Sequence, residues 1–146
     1  MATRTARTAW NGGLMDGSGQ VELTSSGAGT FDVSFPKRTA DDADGTTSPE
    51  ELVAAAHASC YSMQLSGLIG KAGGTTRALD VRADVSVDKD PAGGLMLTGI
   101  KITVRGEVEG LDKAGFLEAA EGAKATCPIS KALAAVDITL DAALES

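Results

Sequence analysis

The chain has 146 residues and a formal charge of -7, from 20 acidic against 13 basic side chains, so its surface repels phosphate and nucleic acid is not an expected partner. Hydrophobic residues at 42 % and charged residues at 23 % suggest neither a disordered nor a fibrous chain, and the length suits one domain over residues 1–146. Aromatic residues at 3 % beside 18 glycines predict a core of Ala, Val, Leu and Ile with many tight turns.

The first ten residues, MATRTARTAW, contain no apolar stretch of signal-peptide length, so a cytoplasmic, reducing setting is expected. There, two cysteines are more often redox-active or metal-binding than a permanent staple. The N-terminal third reads as three short strands, roughly 3–10, 19–24 and 30–35, separated by NGG and SGAG; this is the pattern of an antiparallel meander. A polar loop, PKRTADDADGTT, follows.

At Ser48 the chain changes character. Ser48 can act as N-cap, Pro49 suits the first helical position, and Glu51 completes a capping box. The helix is predicted to run to about Gly70. From Leu52 to Gly70 it carries no Asp, Glu, Lys or Arg, and small or apolar residues occur on every side. Such a helix is buried all round or inserted in lipid. His57, Ser59, Ser62, Gln64 and Ser66 make it a poor membrane span, so burial is expected and no membrane partner is.

Downstream, Val81, Ala83, Val85 and Val87 alternate with polar residues, as do Met96, Thr98, Ile100, Ile102 and Val104. The DPAGG segment at 90–94 is the turn between them. Leu111 to about Ala125 has helical spacing, Pro128 opens a short helix, and Val136, Ile138 and Leu140 form a last strand. The order βββ, long α, ββ, α, short α, β defines an α+β class.

Two thiols stand out. Cys60 lies in HASCYSM, mid-helix, with His57 one turn before it. Cys127 directly precedes Pro128, where free N–H groups and the helix dipole favour a thiolate. Cys60 has no such field: twelve residues at ~1.5 Å each place it roughly 18 Å from the N-cap. As a nucleophile it needs a cation from elsewhere, because burial raises a thiol pKa. Among metal readings, DDADG resembles a calcium loop only faintly, with Ala40 at the first ligand position. His57, Cys60 and Cys127 can alternatively be read as a zinc-binding set in a stress-associated binding protein without turnover.

The segments SPEELVAAAHASCYSMQLS and KATCPISKAL, with Arg38 upstream, resemble the OsmC/Ohr family of hydroperoxide reductases, and specifically its OsmC branch. The order of elements matches along nearly the whole chain. The resemblance implies an OsmC-like fold, with antiparallel sheets wrapped around long central helices in an intertwined homodimer. It implies a thiol peroxidase of oxidative and osmotic stress defence that takes organic hydroperoxides or hydrogen peroxide, needs no metal, flavin or haem, and is recycled by an external dithiol. In it Cys60 is the peroxide-attacking thiol and Cys127 the resolving one. Arg38 polarises Cys60, with Arg7 as the other candidate, and Glu50 holds that arginine.

Glu50 precedes Cys60 by ten residues, about 15 Å along one helix and on a different face. A Glu50 that serves the site of Cys60 is therefore expected to come from a second chain. An apolar pocket lining from Leu52, Val53, Met63 and Leu65 is expected to favour organic hydroperoxides.

Overall fold

A computed structural model describes all residues from Met1 to Ser146, which form two compact units, Met1–Leu52 and Val53–Ser146. In the first unit β1 (Arg7–Asn11), β2 (Ser18–Glu22) and β3 (Thr30–Val33) form an antiparallel sheet in the order β1-β2-β3. The expected meander is present, with shorter strands than the sequence suggested. The stretch expected to be loop begins instead with a short helix, α1 (Phe35–Arg38), capped by Ser34, whose side chain accepts from the Lys37 N–H, and started by a proline. Beyond it, Thr47 rejoins β3 through an isolated bridge to Val33.

Helix α2 spans Pro49–Lys71 and carries the chain from one unit into the other. Its start follows the expected signal: the Ser48 hydroxyl accepts from the Glu51 N–H at 3.1 Å, which satisfies one orphan donor of the first turn. The capping box is only half formed, because the Glu51 carboxylate accepts from the Thr47 hydroxyl instead of closing on Ser48.

Within the second unit α2 buries one stripe, His57, Tyr61, Leu65 and Ile69, at the four-residue spacing of a single helix face. Burial on every face was expected, yet Ser59, Met63, Ser66 and Gly67 are exposed, with Met63 at 76 %. The helix reads as apolar all round because Ala, Ser and Gly dominate its outer side. No helix of the protein is long and apolar enough to cross a membrane.

The second sheet has the order β4-β5-β6, from β4 (Thr75–Lys89), β5 (Leu95–Glu109) and β6 (Ile138–Leu144). Strands β4 and β5 are an antiparallel hairpin whose turn is closed by Asp90 and Gly94, with Gly93 and Gly94 at positive φ. Strand β6 pairs with β5 in parallel, which corrects the expectation of purely antiparallel sheets. A parallel partner needs a crossover, and residues 110–137 supply one through α3 (Lys113–Thr126) and α4 (Pro128–Ala132).

Tyr61, Leu65 and Ile69 of α2 and Phe116, Ala120 and Ala123 of α3 share one core with Ile100, Ile102 and Val104 of β5. Each fully buried Leu, Ile or Phe stabilises the fold by about 1.5–3 kcal/mol. The small residues of α3 let it lie close, and the Tyr61 hydroxyl donates to the Ala120 carbonyl at 2.9 Å. This contact pins α2 to α3 just above the two thiols' segment.

Candidate active site

Cys60 and Cys127 are both free thiols, Cys60 half-buried and Cys127 fully buried. Separated by 67 positions in sequence, they are brought into hydrogen-bonding contact by the packing of α2 against the α3–α4 junction. Cys127 ends α3, its N–H bonding the Ala123 carbonyl, and immediately starts α4, with Pro128 as the next residue. No strict side-chain cap closes α4. The backbone N–H groups of Ser130 and Ile129 nevertheless face the Cys127 sulfur, as does the Ser130 hydroxyl.

The electrostatics of the pair are unequal. Burial pushes the Cys60 thiol up, and its hydrogen bond to Cys127 pushes the same way against a weaker opposing contact from Ile129. Burial also raises Cys127, but hydrogen bonds from Cys60, from the Ser130 and Ile129 backbone and from the Ser130 hydroxyl outweigh it and bring Cys127 below the ordinary thiol value. Within one chain, then, Cys127 is the favoured thiolate and Cys60 the donor to it. This agrees with the helix-start field read from the sequence.

His57, singled out as a possible zinc ligand, is fully buried and bonds Ser130 Oγ through Nε2 at 2.7 Å. Its Nδ1 is buried with no partner, and burial pulls its pKa below the ordinary imidazole value. No three His, Cys, Asp or Glu side chains gather at a metal position. The His57, Cys60 and Cys127 zinc set is therefore not formed, and neither is a calcium site at DDADG, where Asp42 caps the Asp44 N–H and Asp44 pairs with Lys37.

Arg38 and Glu50 lie in the first unit. Arg38 ends α1 and Glu50 sits in the first turn of α2. Arg38 Nε donates to both carboxylate oxygens at 3.0 and 3.1 Å, and Nη2 donates to Oε1 at 2.6 Å, leaving Nη1 outside the pair. Burial works against the Glu50 charge, but the hydrogen bonds and charge of Arg38, with its own backbone N–H, hold it below the usual carboxylate range. The same pair raises the Arg38 pKa. Arg7, the other candidate, stands exposed at the start of β1.

A cavity of about 400 Å³ lies beside this ion pair, lined by Trp10, Leu14, Phe35, Pro49, Leu52 and Arg38 among others. Leu52 is the one expected pocket residue found there. Leu65 belongs to the core at 0 % exposure, which removes it from any pocket wall. Sequence reasoning missed Ser130, although its place three residues into the helix that Cys127 starts was the available signal. It also missed Trp10 and Phe35, which occupy a strand and a helix too short to announce a site.

The family model for OsmC-like protein matches residues 41–141. Peroxiredoxin OsmC of Escherichia coli (strain K12) is 40 % identical over 137 residues, covering 94 % of this chain and 93 % of that one. Among solved structures, an organic hydroperoxide resistance protein from Elizabethkingia anophelis superposes with a TM-score of 0.81 at 25 % identity, covering 99 % of this chain and 98 % of that one. The organic hydroperoxide resistance protein OhrB of Bacillus subtilis does so with 0.74 at 28 % identity, covering 95 % and 98 %. On sequence and fold together, the chain belongs to the OsmC-like protein family.

Proposed function

We propose that this protein is a peroxiredoxin-like hydroperoxide reductase, a single OsmC-like domain that works as a cytoplasmic homodimer in defence against oxidative and osmotic stress. The observation that carries the reading is the meeting of two free thiols from distant parts of the chain, in a family whose relatives are named for peroxide chemistry.

The Cys60 thiolate attacks the distal peroxide oxygen, the O–O bond breaks, and the alkoxide leaves as alcohol after taking a proton. Cys60 becomes a sulfenic acid. Cys127 then attacks the Cys60 sulfur, an S–S bond forms, and the S–O bond breaks with loss of water. An external dithiol exchanges the disulfide back to two thiols.

Within its own unit Cys60 meets no cation, and burial with the hydrogen bond to Cys127 raises its pKa. In this reading Arg38 of a second chain, held by that chain's Glu50, supplies it. One guanidinium in a partly dry site can offset the burial cost and reverse which of the two thiols is ionised. This reading seats the second chain on the exposed outer side of α2.

The apolar cavity beside Arg38 supports organic hydroperoxides as preferred substrates, with hydrogen peroxide also accepted. Titration of the thiols with tert-butyl hydroperoxide is the test. Stoichiometric loss of both thiols, unchanged by chelator and faster than with equal hydrogen peroxide, is expected. Thiols that persist in excess peroxide would end the peroxidase reading, and faster loss with hydrogen peroxide would end the substrate preference.

A further inference from the structure

Three buried groups are threaded together behind the thiol pair. His57, Ser130 and Cys127 are 0 %, 5 % and 0 % exposed. His57 Nε2 and Ser130 Oγ are 2.7 Å apart, and the Ser130 hydroxyl is among the groups that favour the charged form of Cys127. A serine hydroxyl has one proton, so it can donate to the histidine or to the sulfur but not to both.

The tautomer of His57 decides which. With the proton on Nδ1, the ring would bury an N–H without a partner, since Nδ1 has none, and Nε2 would take the serine proton. With the proton on Nε2, the ring donates to Ser130 Oγ and the serine proton is released toward Cys127. The unpaired group is then only a lone pair, and orphaned buried N–H groups are the rarer case in proteins.

We propose that His57 is a positioning residue which, as the neutral Nε2–H tautomer, fixes the Ser130 hydroxyl as a donor to the Cys127 sulfur and so favours the second thiol of the pair as an anion for its attack on Cys60 once Cys60 is a sulfenic acid. The inference rests on the resolving role of Cys127 for its purpose, though not for its geometry. No net proton moves along the thread; the hydroxide expelled from Cys60 takes its proton from solvent.

Burial of His57 keeps the imidazole neutral around pH 7, as the role requires, because it lowers the pKa. The groups that face the Cys127 sulfur are few. Helix α2 presents Cys60, with Tyr61 nearby and His57 behind Ser130; α4 presents the Ser130 and Ile129 N–H groups; and Glu121 of α3 acts on Tyr61. None is a cation, which leaves the hydroxyl as the donor that a histidine can steer.

The test is the pH profile of Cys127 alkylation by iodoacetamide in the full-length Cys60→Ser chain, where no peroxide chemistry takes part. Adding Ser130→Ala should raise the midpoint by about one unit, the size expected for loss of one hydrogen bond to a charged sulfur. His57→Asn, too short to reach Ser130, should raise it in the same direction, and His57→Gln, which restores an N–H near the same place, should return it. A midpoint that Ser130→Ala leaves unmoved, or that His57→Asn leaves unmoved while Ser130→Ala shifts it, would overturn the role given to His57. In the unmutated protein, ¹⁵N resonances of the ring should report the neutral Nε2–H form from pH 7 to 8. The Nδ1–H form or an imidazolium would contradict the proposal without any variant. Should peroxide leave Cys60 untouched while these profiles move as stated, the peroxidase reading fails and the positioning stands.

Discussion

Glu50 shows how one side chain can tie stability to pH. Its carboxylate is almost fully covered yet remains charged because Arg38 donates three contacts to it. The folded-state pKa is depressed, so the pair stabilises the fold fully above the ordinary carboxylate value and loses that contribution as pH falls through the lower folded value. Glu50→Gln should therefore cost about 1–3 kcal/mol at neutral pH, the range for losing hydrogen bonds to a charged group. It should also flatten the acid limb of a urea-midpoint against pH curve; an unchanged acid limb would show that the pair carries no such linkage. At this scale the sequence was only partly legible. The two cysteines, Arg38 and Glu50 could be named from their motifs, but a motif does not say which atoms touch. That His57 would turn to Ser130 and not to a metal depends on α4 being laid against α2, a consequence of core packing some seventy residues away.

Elements were easier to read where a local signal marks them. Ser48 with Pro49 announces α2 and Pro128 announces α4, whereas α3 is read from its spacing alone, although Asp112 caps it by accepting from the Gly115 N–H at 2.8 Å. The four residues of α1 were lost in a polar run, although Ser34 and Pro36 are the same kind of signal in miniature. The parallel direction of β6 was not legible, because alternation reports which face of a strand is buried and is silent on its partner's direction. Between β5 and α3 the fit is tight at one glycine. A Cβ on Gly106 would lie 2.8 Å from the Phe116 ring and 3.2 Å from Leu79, and Phe116 is fully buried with no room to retreat. Gly106→Ala should destabilise the protein by about 1–3 kcal/mol through overpacking, read as a lower urea midpoint with an unchanged slope. A midpoint equal to that of the parent would mean that α3 is held less closely than described.

At the scale of the whole molecule, α2 presents an exposed side rich in Ala, Ser and Gly with Met63 projecting from it, while the sulfur that the proposed reaction ionises meets no cation within its own unit. A second copy of the chain would answer both needs at once. The expectation that α2 is buried all round was derived from a composition that does not distinguish cover by the same chain from cover by another. Complementation between two disabled chains tests this most directly. Cys60→Ser and Arg38→Met variants, each inactive as peroxidases alone, are produced together with different tags and the mixed species is purified. If Arg38 of one chain activates Cys60 of the other, the mixed species regains peroxide-dependent turnover at one of its two sites. Mixed species that form but stay as inactive as their parents would contradict the shared site, and with it the source of the charge that the Cys60 chemistry requires.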